Sequence, residues 1–197
     1  MGFRQGRASP CCFWHPTLQL SCVVHGDDFT ATGSKRELDW FEAQLRARYE
    51  LTAGGRLGPG KDDTKEASVL NRIIRWTDEG VEYEADPRQV ERFLEELDLD
   101  GDGVKGVATP SVKLAQHQVE SEQALGHSEH TRFRGLAARA NYLAADRLDI
   151  IFAAKEVCRF MAHPSDLAMS ALKRLGRYLK ERPRVLFEMP FSGVFSH

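Results

Sequence analysis

Two carboxylates stand side by side in this sequence, Asp27 and Asp28, directly after Gly26 and between runs of residues that favour extended backbone. Like charges about 4 Å apart repel by roughly 4 kcal/mol at an effective dielectric near 20, so such a pair is costly unless a cation offsets it. An oxygen-only donor set suits a hard divalent ion such as magnesium. Pairs of such ions clamp the attacking and leaving oxygens in phosphoryl and nucleotidyl transfer. Asp27 and Asp28 are therefore the candidate catalytic and metal-binding residues. Gly-Asp-Asp also suits a plain solvent-facing turn, and the tripeptide alone does not separate the two readings.

A second candidate is electrostatic. Residues 131–184 hold twelve Lys or Arg against five Asp or Glu, a surplus of seven inside a chain whose formal net charge is -2. A basic segment beside an acidic remainder suits a polyanion, nucleic acid above all, although a solvated helix surface reads the same way. Over residues 166–180, Leu167, Ala171, Leu175 and Tyr178 form one stripe. Lys173, Arg174, Arg177 and Lys180 share the opposite side, where they would meet solvent or phosphate.

Two further patterns carry less. Asp98-Leu99-Asp100-Gly101-Asp102-Gly103 copies the opening of a calcium loop, but its twelfth position is Thr109, where a bidentate Glu is needed. Cys12 and His15, with Cys22 and His25, offer four zinc-type ligands at a spacing that fits no familiar finger.

The elements that must position these groups follow from the pattern. Leu18 to Val24 is apolar and β-compatible, His25 to Asp28 supplies turn chemistry, and Phe29 and Thr30 resume the strand, which makes a hairpin with the aspartates at its tip. Ser34 and Glu37 form a capping box for a helix ending near Tyr49, with Leu38, Phe41 and Leu45 on one face. Residues 52–66 are rich in Gly and charge and read as an exposed loop. Ser68–Trp76 and Val81–Glu84 read as two strands, and Pro87 opens a helix lined by Val90, Phe93, Leu94 and Leu97. After a linker over 101–130, helices are expected at Phe133–Ala145, Leu148–Met161 and Asp166–Lys180. The fold class is α+β, with segments 1–100, 101–130, 131–182 and a tail at 183–197.

The stretch Cys22-Val23-Val24-His25-Gly26-Asp27-Asp28-Phe29-Thr30-Ala31-Thr32-Gly33 resembles the strand, turn and strand around the paired aspartates of reverse transcriptases. His25 stands where that family usually has tyrosine. Leu57-Gly58 and Val69-Leu70-Asn71-Arg72 resemble the family's loop and its Phe-Leu-Gly-Ile strand, with Asn71 and Arg72 as departures. Ala108-Thr109-Pro110, Phe133-Arg134-Gly135-Leu136, Asn141-Tyr142-Leu143, Arg147-Leu148-Asp149-Ile150, Arg159-Phe160-Met161 and Leu172-Lys173-Arg174-Leu175-Gly176-Arg177-Tyr178-Leu179 follow in the order seen in copia-type retrotransposon polyproteins.

The resemblance implies a β-hairpin palm remnant followed by a helical thumb and connection region. It implies RNA-directed DNA synthesis with Mg2+ or Mn2+ on Asp27 and Asp28, and nucleic-acid contacts from His25, Lys173, Arg174, Arg177 and Lys180. Its partners would be an RNA or DNA template-primer, deoxynucleotides, and the remaining polyprotein segments. The family's third catalytic aspartate lies on a segment this sequence does not contain, so unaided polymerisation is not expected. The alternative is a non-catalytic nucleic-acid-binding remnant of a retroelement.

At 197 residues the chain suffices for one domain with a real core or two small subdomains. No apolar run approaches the roughly 20 residues of a membrane helix. The start lacks an uninterrupted apolar segment, so no secretion signal is read and an intracellular place, cytoplasmic or nuclear, is expected. Four cysteines, three bunched near the start, make a poor disulfide framework.

Overall fold

The computed structural model describes residues 1–112 and 123–191. Residues 113–122 of the expected linker and 192–197 of the expected tail lie outside the described residues. The fold is α+β, with two four-stranded antiparallel sheets, five helices and a short 3-10 turn among the described residues. The chain divides into two compact units, Met1–Gly55 and Arg56–His197.

The first unit is a meander of β1 (Arg4–Gln5), β2 (Cys12–Trp14), β3 (Ser21–His25) and β4 (Asp28–Thr32), followed by α1 (Lys35–Arg46). The expected hairpin is β3–β4. The first two strands went unread because each is only two or three residues long, too short for period-two alternation to show. Leu20, Cys22, Phe41 and Leu45 form the buried core between sheet and helix, with Phe3, Val24, Ala31 and Leu38 packed around them. Cys22 and Val24 alternate with exposed Ser21, Val23 and His25, as a strand with one wet face requires.

The expected capping residue pair does more than start α1. The Glu37 carboxylate accepts the Ser34 N–H at 3.2 Å and the Gln19 N–H at 3.0 Å. Gln19 precedes β3 and Ser34 follows β4, so one side chain ties the two open ends of the hairpin together, opposite its tip. The Gln19 amide is the main reason that the Glu37 carboxyl sits below its ordinary range.

In the second unit, β5 (Glu66–Val69), β6 (Arg72–Trp76), β7 (Gly80–Glu84) and β8 (Leu186–Pro190) form the sheet. Two expectations need correction. The single strand read over Ser68–Trp76 is a hairpin, because Leu70 and Asn71 take φ of 50° and 67°. Two consecutive left-handed residues make a type I′ turn, and Asn at the second position tolerates that backbone well. The stretch read as a tail holds β8, which pairs with β7 from Gly80↔Pro190 to Glu84↔Leu186, and Phe191 stacks on Trp76 with ring centroids 4.7 Å apart.

The helices are α2 (Pro87–Glu96), α3 (His127–Ala144), α4 (Ile151–Cys158) and α5 (Asp166–Glu181), with the 3-10 turn at Leu148–Ile150. Asp86 caps α2 by accepting the Arg88 N–H, and Pro87 fills the first helical position, where its missing donor costs nothing. Residues 127–130, read as linker, already belong to α3. Phe93, Phe133, Leu136, Ile150, Leu172, Leu175 and Leu179 pack into one core, so α2 belongs with the C-terminal helices. At Gly176 an added Cβ would lie 2.6 Å from a Leu99 methyl, which is why a glycine interrupts that apolar stripe.

Arg147 is only 1% exposed, yet it is an arginine inside this core. Its guanidinium makes two bonds to the Asp149 carboxylate, at 2.9 and 2.8 Å, and donates to the carbonyls of Arg182 and Pro183 at 2.9 and 3.1 Å. The Tyr178 hydroxyl adds a third donor to Asp149 at 3.0 Å. Burial pushes the Asp149 carboxyl up, but Arg147 and Tyr178 together outweigh it and hold the group below its ordinary range. A carboxyl depressed in this way stabilises the fold above its unfolded value, about 3.9, and the contribution fades as pH falls through the lower folded value. Arg147→Ala is expected to cost about 3 kcal/mol in urea unfolding, because it strands a half-buried charge, and to remove that acid-range component of stability.

The candidate site at the tip of the first hairpin

The tip is as tight as a hairpin allows. His25 pairs with Asp28, so Gly26 and Asp27 are the only two residues of the turn. Gly26 takes φ of +64° while Asp27 does not enter that region. Positive φ at the first central position alone is the type II′ pattern, whose twist matches the flanking strands and which favours glycine there. The turn thus places Asp27 at its second central position and Asp28 as the first residue of β4. Both are exposed, as are His25 and Gly26.

The structure places His25, Asp27 and Asp28 at the tip of the expected hairpin. The donor set of the pair is carboxylate oxygen, open to solvent. That fits Mg2+ or Mn2+, which bind through one or two carboxylates and keep several waters or substrate phosphate oxygens. Among the described residues, no group of three or more His, Cys, Asp or Glu is arranged to hold a metal ion.

Zinc-type ligation through the cysteines and histidines finds no support in the geometry. His15 Nδ1 accepts the Leu18 N–H at 3.1 Å, which leaves Nε2 to donate to the Met1 carbonyl at 3.1 Å. Burial pushes the Cys22 thiol up, away from the thiolate a metal needs. The calcium-like loop is also occupied from within. Asp98, at φ of 58°, ends α2 in the left-handed region and takes an ion pair from Arg132 at 2.8 Å. The Lys180 ammonium donates to the carbonyls of Leu99 and Asp100, both at 3.0 Å, and to that of Gly101.

That last contact bears on the four cations expected to meet phosphate. Lys180 holds the 99–101 carbonyls, Arg177 donates from Nε to the Lys105 carbonyl at 2.7 Å, and Arg174 donates to the Thr109 hydroxyl at 2.7 Å. Three of the four therefore clamp the connection that follows α2 onto α5, and Lys173 is the exposed member of the four. The sequence shows a basic helical face. It does not show that the carbonyls of Leu99, Asp100, Gly101 and Lys105 lie across that face.

Other charged groups that sequence reasoning passed over are paired as well. Arg72 and the Tyr83 hydroxyl both engage Asp146, at 2.9 and 2.5 Å, and tie the second sheet to the end of α3. Buried Glu84 lies between Arg75 and Arg184, and the Arg184 contact is the main cause of its lowered carboxyl pKa. Arg147 two residues before Asp149, an opposite charge within local reach, was the available signal. The expected consequence is a split within one helix: Arg177→Ala and Lys180→Ala each lower stability by about 1–2 kcal/mol. Lys173→Ala shifts it by less than about 0.5 kcal/mol, all three read from urea midpoints.

No family model matches this chain, and no solved structure matches it. Among curated proteins it is similar to the retrovirus-related Pol polyprotein from transposon RE1 of Arabidopsis thaliana, 34% identical over 79 residues. That stretch covers 40% of this chain and 5% of the polyprotein, so the chain matches a small part of its relative's length. The similarity supports a retroelement-derived protein, with its origin in a retrotransposon Pol polyprotein.

Proposed function

We propose that the chain is a segment of a copia-type reverse transcriptase, and that Asp27 and Asp28 are its metal-holding carboxylates in RNA-directed DNA synthesis. The observation that carries this reading is the adjacent, exposed aspartates at the tip of a two-residue hairpin, in a chain similar to a Pol polyprotein. Asp27 and Asp28 would hold Mg2+ or Mn2+ through their oxygens. When bound, such an ion neutralises charge on the phosphates of an incoming deoxynucleotide and on the primer end. The chain's own contribution is positional. The type II′ turn puts Asp27 and Asp28 at adjacent positions of the exposed tip, the Glu37 clasp holds the hairpin ends, and His25, paired across from Asp28, would meet the nucleic acid.

The helical half contributes mostly scaffold. With Arg174, Arg177 and Lys180 engaged inside the chain, exposed Lys173 is the member of that set that, among the described residues, would meet a template-primer phosphate. The chain matches only 5% of its relative, so the remaining polyprotein segments are natural partners in a complete polymerase.

Primer extension tests the reading. Incubated with the polyprotein segment that carries the third aspartate, a primed RNA template, deoxynucleotides and Mg2+ or Mn2+, the chain is expected to give metal-dependent incorporation that Asp27→Asn with Asp28→Asn reduces to background. Incorporation undiminished by the double substitution would contradict it. Binding of primed template with no incorporation from either protein would favour the second reading, a nucleic-acid-binding remnant without chemistry.

A further inference from the structure

We propose that Thr109 is a phosphorylation site for a proline-directed Ser/Thr kinase, and that Arg174 on α5 receives the phosphate. The site lies in the second unit, apart from the hairpin tip, and does not depend on the role of the aspartates.

The connection after α2 runs along α5 in the opposite direction. Lys180 holds the carbonyls of Leu99 and Asp100, Arg177 holds that of Lys105, and Arg174 holds the Thr109 hydroxyl. Successive turns of one helix face thus take successive steps of the connection, and the Val107 N–H adds a bond to the Arg177 carbonyl at 3.3 Å. Thr109 is exposed, in a stretch over 104–112 that is neither helix nor strand. Pro110 follows it and biases Thr109 toward extended backbone, the form in which a kinase cleft takes its substrate.

The three anchors differ in what they leave over. Lys180 and Arg177 end on carbonyl oxygens. Arg174 donates from Nη2 to the Thr109 hydroxyl at 2.7 Å, while its Nε is buried with no acceptor among the described residues. Nε and Nη2 form the edge of the guanidinium with which Arg88 and Arg147 hold the carboxylates of Asp86 and Asp149. Those arginines meet two anionic oxygens, and Arg174 meets one neutral oxygen. A phosphate on Thr109 brings three acceptor oxygens and a charge of about -1.5 to -2 to that edge, enough to occupy Nη2 and Nε together.

Phosphoryl transfer forms the bond from Thr109 Oγ1 to the γ-phosphorus of ATP and breaks the bond from that phosphorus to the β–γ bridging oxygen. ADP leaves, and the hydroxyl proton passes to the kinase's catalytic carboxylate. Ser9-Pro10 has the same sequence form. There the Ser9 carbonyl accepts the Cys12 N–H at 2.9 Å and closes a tight turn, a poor substrate for an extended cleft.

The test is incubation of the full chain with ATP and a mitogen-activated-type kinase, with the modified residue located by mass spectrometry and melting followed by circular dichroism. The expected result is about one phosphate per chain on Thr109, absent from that position in Thr109→Val and reduced at least about tenfold in Pro110→Ala. The phosphorylated chain should melt about 2–4 °C above the unmodified chain. Arg174→Gln should still be phosphorylated, but modification should move its melting temperature by less than about 1 °C, since the receiving guanidinium is gone. No incorporation, or phosphate on Ser9 alone, would overturn the proposal. A phosphate on Thr109 that leaves melting unchanged, or a rise that Arg174→Gln retains, would overturn the role of Arg174.

Discussion

A two-residue turn that carries Asp27 and delivers Asp28 as the first residue of β4 is the constraint around which the first unit is arranged. The turn requires glycine at its first central position, since only there does the backbone enter the left-handed region, and Gly26 supplies it. It also requires the strands to arrive in register, and the pairing from Ser21↔Thr32 to His25↔Asp28 runs without a bulge. The ends of that hairpin are then held by one carboxylate, Glu37, which binds the backbone on both sides and starts the helix that covers the inner face. The exposed tip at one end is thus matched by hydrogen bonding at the other, with the Leu20, Cys22, Phe41 and Leu45 core between.

In the second unit, charge serves chiefly to hold the fold together. Arg147 with Asp149, Glu84 with Arg75 and Arg184, and Arg72 with Asp146 join the sheet, the helices and the chain past α5. Lys180 and Arg177 do the same with neutral partners, by satisfying carbonyls of a connection that has no strand or helix to satisfy them. A basic surplus in composition is therefore largely spent on internal contacts, and the surface it leaves for a polyanion is smaller than the count suggests.

The parts legible in the sequence were those governed by local chemistry. The tip, the Ser34–Glu37 start of α1, the Asp86–Pro87 start of α2 and the three C-terminal helices follow from turn, capping and periodicity rules that act within a few residues. What could not be read depends on distant partners. Leu186–Pro190 becomes a strand because β7 offers it an edge roughly a hundred residues earlier in the chain, and nothing local in that stretch says so. The turn at Leu70-Asn71 was hidden because a leucine seldom adopts positive φ. The role of α5's cations was hidden because a helix wheel shows which face a lysine is on, and not what lies across from it.

The most direct measurement is an anomalous-difference map from crystals of the chain soaked in Mn2+. The account predicts the strongest peak at the hairpin tip, about 2.0–2.3 Å from carboxylate oxygens of Asp27 and Asp28. A map whose peaks lie only elsewhere, at the Asp98–Asp102 loop for instance, with the tip bare at saturating metal, would contradict it.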